Sequence, residues 1–318
     1  MTRALCLLLC AACAPALRSA RRSAGEPPSE SELEAEAAVA DRSCRTLVTA
    51  LLPGLRQACQ GRTIEGALLL GVGTAELATG IAVASKHSIE YPGAAVPLLA
   101  YSDLVLFHAF DGANEALRAR RVPLVPQDTL GELLAAPWNP KVLGSVDVWA
   151  GILGTVAAGL AASAALEGFG SRFGDRPRLF GRDQAPGVGY PLAAGIGAGL
   201  FAHVAIAEET VFRGYFQSAL ARRFGEQQGW LYGSAIFGLA HAPNALFVES
   251  GQRLRYLALG VPFITVLGGY LGLSYRWHGY GLAAPVAIHF WYDFLISAVA
   301  FAADPQRSPL AARIALPW

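Results

Sequence analysis

The sequence predicts an all-α fold, a polytopic membrane helix bundle of about seven transmembrane helices, and three observations carry that expectation. The 318 residues are 53% hydrophobic and 15% charged, with a mean hydropathy of +0.38, whereas a soluble globular chain carries roughly 25% charged residues. From Gly66 onward the apolar residues gather into stretches of bilayer length, separated by short segments that hold the Gly, Pro and charged residues. Trp138, Trp149, Trp230 and Trp277 fall near the ends of those stretches, where an aromatic belt would sit.

The predicted spans run over 66–84, 94–110, 146–166, 191–212, 230–248, 254–275 and 282–302. The fourth is crowded with Ala193, Ala194, Gly195, Gly197, Ala198 and Gly199, which permits close helix approach in lipid and suits a central helix. Ahead of the spans, residues 1–24 read as a candidate signal or transit segment. Ala4 to Leu17 is an apolar run behind Arg3, and Arg18, Arg21 and Arg22 follow with no acidic residue before Glu26. Cys13, after Ala11 and Ala12, has the setting of a lipid-attachment cysteine. Residues 25–62 form a polar linker, 63–122 a two-helix membrane region, 123–303 the main membrane domain and 304–318 a tail.

These features place the protein in a membrane, either the bacterial inner membrane or, with a transit segment, a plastid-type organelle membrane. A net charge of +1 and arginines scattered through loops exclude nucleic acid as a partner. All five cysteines precede the first span, so no disulfide or thiolate metal site staples the membrane core. Arg42, Arg45, Arg56, Arg62, Arg118, Arg120, Arg121, Lys141, Arg222 and Arg223 mark one face as cytoplasmic, and Arg172, Arg176, Arg178 and Arg182 break the pattern on the other.

An ionisable residue at the centre of a membrane helix costs about 2.5 to 3.5 kcal/mol on insertion scales. The densest group is Ala207-Glu208-Glu209-Thr210-Val211-Phe212-Arg213-Gly214. Glu209 and Arg213 are i,i+4 neighbours, while Glu208 turns about 100° away and stays available for proton work. Alone, this is equally an interfacial ion pair that ends a span. In the fifth span Phe237-Gly238-Leu239-Ala240-His241 sets an aromatic ring and an imidazole on one face, and Pro243 loosens the helix behind them. In the last span His289-Phe290-Trp291-Tyr292-Asp293 sets an imidazole and a carboxylate at i,i+4. Either motif alone also reads as a packing histidine or a buried hydrogen bond.

Taken in order, Glu208-Glu209 with Arg213, Phe237 with His241, and His289 with Asp293 resemble the three motifs of the CAAX protease and bacteriocin-processing family of intramembrane endopeptidases. The resemblance covers about 130–302 and makes 123–303 a protease domain of that type. It implies that these residues meet in a water-accessible cavity. There Glu208 and His241 would activate the attacking water, and His289 with its partner would stabilise the oxyanion.

The residue chemistry supports the same roles independently. Peptide hydrolysis needs a base for water, a proton donor for the amine and a group for the oxyanion, which Glu208, His241 and His289 can supply. An ionised Asp293 cannot donate a hydrogen bond. It must be protonated, orient His289 or bind a metal. Glu208, His241, His289 and Asp293 are all competent ligands, so Zn²⁺ is a candidate cofactor, although no H-E-x-x-H is present. The expected partners are the lipid bilayer and a membrane-associated peptide or protein substrate. Glu76, Asp103 and His108 suggest the competing function, a proton or ion carrier, and a non-catalytic membrane scaffold is the third alternative.

Overall fold

The computed structural model describes residues 44, 49, 52–87, 92–166, 174–246, 248 and 250–306. The candidate targeting segment, with Cys6, Cys10 and Cys13, the first part of the linker and nearly all of the tail lie outside the described residues. The main helices are α1 (Thr63–Ala84), α2 (Pro92–Ala119), α3 (Val146–Leu166), α4 (Pro186–Glu209), α5 (Ser218–Phe224), α6 (Glu226–Ala240), α7 (Val261–Trp277) and α8 (Ala283–Ala303), with shorter helices before and between them. A π-helical segment, Thr210–Gln217, joins α4 to α5 in one rod.

Among the described residues six helices are long and apolar enough to cross a membrane. The remaining predicted span, 230–248, forms α6, whose 15 residues rise only about 22 Å. Its last turn ends at His241, and Ala242–Leu246 continue as a 3₁₀ turn. Pro243 has no N–H to extend the α-helical ladder, so the imidazole is left at a helix terminus inside the bundle.

The core gathers around α4, α7 and α8. Phe201, Ala205 and Ala207 pack with Tyr275, Val286, Ala287 and Phe290, all buried. The small residues of α4 divide by face: Ala193 and Gly197 are buried, whereas Ala194, Gly195 and Gly199 face outward. Close approach matters most between α6 and α7, where a Cβ on Gly238 would overlap Thr265.

One face of the bundle carries the starts of α1, α3, α6 and α8 and the ends of α2, α5 and α7. Arg62 reaches Asp111 at 2.5 Å, Arg222 Nη1 donates to Pro123 O, and His278 lies 2.9 Å from Asp147. Residues 52–62, the end of the predicted polar linker, fold against α2 on this face through the short helix Leu55–Cys59. A disulfide joins Cys44 to Cys59 there, outside the membrane core. The opposite face holds an antiparallel hairpin, Arg178–Leu179 with Arg182–Asp183. Positive φ at Phe180 and Gly181 suits a tight two-residue turn, and Arg178 N–H donates to Pro305 O.

Candidate active site

The long α4–α5 rod brings Glu208 and Glu209 to the middle of the bundle, and the π segment begins one residue later. Such a widened turn re-aims side chains and is frequent at functional sites. Here it directs Arg213 inward, so that the guanidinium is buried with three partners. Nη1 donates to Glu209 Oε1 at 2.8 Å, Nη2 donates to Gly268 O at 3.0 Å, and Cζ lies 4.1 Å from the centre of the Phe237 ring. Desolvated charge of this kind is tolerated only when it is paired and hydrogen-bonded.

Glu209 has a second role that i,i+4 spacing does not reveal. The same Oε1 that accepts from Arg213 lies 2.7 Å from His289 Nδ1, so Glu209 anchors the imidazole of α8 as well as the cation of its own rod. His289 Nε2 points the other way, 3.3 Å from Asp293 Oδ2 and 3.9 Å from Glu208 Oε2. Both ring nitrogens face carboxylate oxygens, an arrangement that suits both as donors. Of the three roles open to Asp293, this geometry favours the acceptor that orients His289.

His241 is fixed by its own helix. Its Nδ1 lies 2.8 Å from Phe237 O, and because a carbonyl only accepts, Nδ1 carries the hydrogen. Nε2 therefore presents a lone pair, 3.8 Å from Glu208 Oε2. Phe237 packs its ring against His241, with centroids 4.7 Å apart, and lies 6.1 Å from the His289 ring. Glu208 Oε2 is buried and has no hydrogen-bond partner among the described residues. The two glutamates thus differ sharply: the Glu209 side chain is 0% exposed, and that of Glu208 is 21% exposed.

Glu208, Glu209, Arg213, His241, His289 and Asp293, drawn from the α4–α5 rod, α6 and α8, are thus brought together. Among the described residues no group of three or more His, Cys, Asp or Glu side chains is arranged to hold a metal ion. Glu208 Oε2 nevertheless faces both imidazole Nε2 atoms, and His289 Nε2 also faces Asp293 Oδ2, at separations of 3.3 to 3.9 Å.

His108 does not join Glu76 and Asp103. It is buried at the head of the bundle, where Nδ1 lies 2.7 Å from Gln57 Oε1 and Nε2 lies 2.5 Å from Thr49 O, in a structural knot under the disulfide. Glu76 instead meets His203 of α4, with Oε1 3.1 Å from Nε2. Asp103 is close enough to interact electrostatically with Glu76, His203, Glu208 and Asp293. His203 was legible by the rule that flags every ionisable residue in a membrane helix. Gly268 was not, because its role is to leave room for Phe237 and Arg213, which only the α6–α7 packing reveals.

Fold and site together define a multi-spanning helical membrane protein with a polar Glu/His cluster at the centre of its bundle. Residues 191–295 match the family model described as Type II CAAX prenyl endopeptidase Rce1-like, and the match spans all three motifs. Comparison with curated proteins and with solved structures gives no significant match to the chain.

Proposed function

We propose that the protein is an intramembrane endopeptidase that hydrolyses a peptide bond of a membrane-associated substrate with a water activated by Glu208 and His241. The observation that carries this reading is the meeting of Glu208 Oε2 with His241 Nε2 and His289 Nε2, at 3.8 and 3.9 Å, from three separate helices. Those separations exceed a direct hydrogen bond and suit one bridging water. Glu208 Oε2 and His241 Nε2 are both acceptors, so a water between them donates one hydrogen to each and turns a lone pair toward the substrate carbonyl.

In the proposed reaction, Glu208 takes a proton from this water as its oxygen bonds to the carbonyl carbon. The charge that develops on the carbonyl oxygen meets the Nε2–H of His289, held in place by Glu209 on one side and Asp293 on the other. Collapse of the tetrahedral intermediate breaks the C–N bond, and the proton on Glu208 passes to the leaving amine. Arg213 takes no part in the chemistry. It fixes Glu209, which fixes His289. The family description names prenyl endopeptidases, and we carry over from it a lipid-anchored C-terminal peptide as the first substrate class to assay.

The test is cleavage of such a peptide by purified wild-type and Glu208→Gln protein in liposomes. The amide keeps the shape of the side chain and cannot take the proton, so the rate should fall by at least roughly 10²-fold. Equal cleavage by both proteins removes Glu208 from the mechanism. Solute transport without cleavage replaces the reading with the carrier.

A further inference from the structure

Two π-helical segments occur among the described residues, and each carries a side chain that bonds into the candidate site. The first, Thr210–Gln217, turns Arg213 inward. The second, Tyr256–Gly260, leads directly into α7 and begins with a tyrosine that the proposed reaction does not use. The Tyr256 ring is buried and packs with Phe237, Val261 and Ile264. Gly260 leaves room for it, since a Cβ at that position would stand 2.9 Å from Tyr256 Cδ2. The hydroxyl donates to the main-chain oxygen of His241 at 3.1 Å, a direction fixed because a carbonyl only accepts.

That oxygen sits where the framework of the site is least supported. The last carbonyls of a helix have no partner within it, and α6 stops at His241. The N–H of His241 bonds to Gly238 O, and Asn244 N–H returns to its carbonyl at 3.0 Å. Both contacts are local and travel with the end of α6. So does the imidazole, because its Nδ1 is bonded to Phe237 O of the same helix. Tyr256 instead ties His241 to the helix that also supplies Gly268 O to Arg213. One helix thus braces the end of α6 and the cation of the α4–α5 rod. The gap of 3.8 Å between His241 Nε2 and Glu208 Oε2 suits one bridging water only while its two sides keep their places.

We infer that Tyr256 is a positioning residue for the reaction: its hydroxyl clamps the end of α6 to the helix that carries α7, and so sets the spacing between His241 Nε2 and Glu208 that the reacting water bridges. This rests on the hydrolytic reading above and adds the group that holds its geometry. Tyr256 acts through His241 rather than on the reacting atoms.

The experiment uses Tyr256→Phe, which keeps the packed ring and removes only the hydroxyl. In liposomes kcat should fall roughly three- to tenfold, the range that one hydrogen bond supports, with KM unchanged. Tyr270→Phe is the matched control: it also breaks a bond from a tyrosine hydroxyl to a main-chain oxygen on another helix, Asp147 O at 2.6 Å. It should lower Tm by a comparable amount and keep the kcat of wild type. A Tyr256→Phe protein with wild-type kcat, or a Tyr270→Phe protein that loses kcat equally, overturns the proposal. So does a Tyr256→Phe protein that fails to fold, because a hydroxyl that only positions His241 is dispensable for the bundle. NMR of protein labelled with ¹⁵N-histidine gives a readout independent of turnover. The imidazole signals of His241, assigned by their loss in His241→Gln, should shift in Tyr256→Phe and stay in place in Tyr270→Phe, and unmoved signals in Tyr256→Phe overturn the clamp. Should Glu208→Gln cleave as well as wild type, the hydrolytic reading fails, while the His241 signals still report whether Tyr256 sets the imidazole.

Discussion

Replacing Glu209 by Gln should damage folding and catalysis together, in contrast to the same change at Glu208. Glu209 Oε1 accepts from Arg213 at 2.8 Å and from His289 at 2.7 Å, with no exposure to solvent. Removing one charge of a buried pair and leaving the other typically costs about 3 to 5 kcal/mol. Arg213 keeps the Gly268 carbonyl and the Phe237 ring, which argues for the lower end, about 3 kcal/mol. The amide nitrogen would also occupy the place of Oε2, which has no hydrogen-bond partner among the described residues, and bury two unmatched donors. On soluble-domain scaling a loss of this size lowers Tm by roughly 6 to 12 °C.

Glu208→Gln alters a partly exposed group that bonds to no described residue, and its stability should stay within about 0.5 kcal/mol of wild type. The assay is paired: thermal unfolding in detergent and peptide cleavage in liposomes for both variants. Glu208→Gln should be stable and slow, and Glu209→Gln unstable and slow. A Glu209→Gln protein with wild-type stability would refute the claim that this carboxylate is the anchor of the site.

Exhaustive chelation should leave the cleavage rate of purified protein unchanged, and a loss reversed by added Zn²⁺ would replace the glutamate-activated water with a metal-bound one. Gly268→Ala would set a Cβ 2.5 Å from Phe237 and 3.2 Å from Arg213 Nη2; overpacking there should cost about 1 to 3 kcal/mol and lower kcat, measured by thermal unfolding and cleavage. Cys59→Ser opens a crosslink between residues separated by 15 positions, and should destabilise the protein by about 3 kcal/mol. Reductant should lower the Tm of wild type but not of the variant, and an equal response in both would count against the disulfide.

The bundle was legible because span length and composition are set by the bilayer, a constraint local to each segment. Legibility failed where structure depends on what lies across the bundle. The sequence extended the fifth span to Val248, yet the helix stops at Ala240, where His241 folds Nδ1 back to Phe237 O. Pro243 marks that break, whereas the apolar residues run on past it to Val248. Cys44 and Cys59 were visible as residues, but nothing in five cysteines dictates which two approach. The π segment left no signal, since Thr210–Gln217 reads as ordinary helix and its widened turn answers to packing against α2 and α6.

Helical periodicity gives each carboxylate a direction but not a partner, and the site turns on that difference. The sequence could separate Glu208 from Glu209 by 100° and assign Arg213 to the second. It could not show that one oxygen of Glu209 serves two helices, because the other recipient, His289, is 80 residues away. That shared oxygen is why the adjacent glutamates are not interchangeable. Glu209 is spent on holding Arg213 and His289, which is why the proposed reaction assigns proton transfer to Glu208, whose Oε2 bonds to no described side chain and faces both imidazoles.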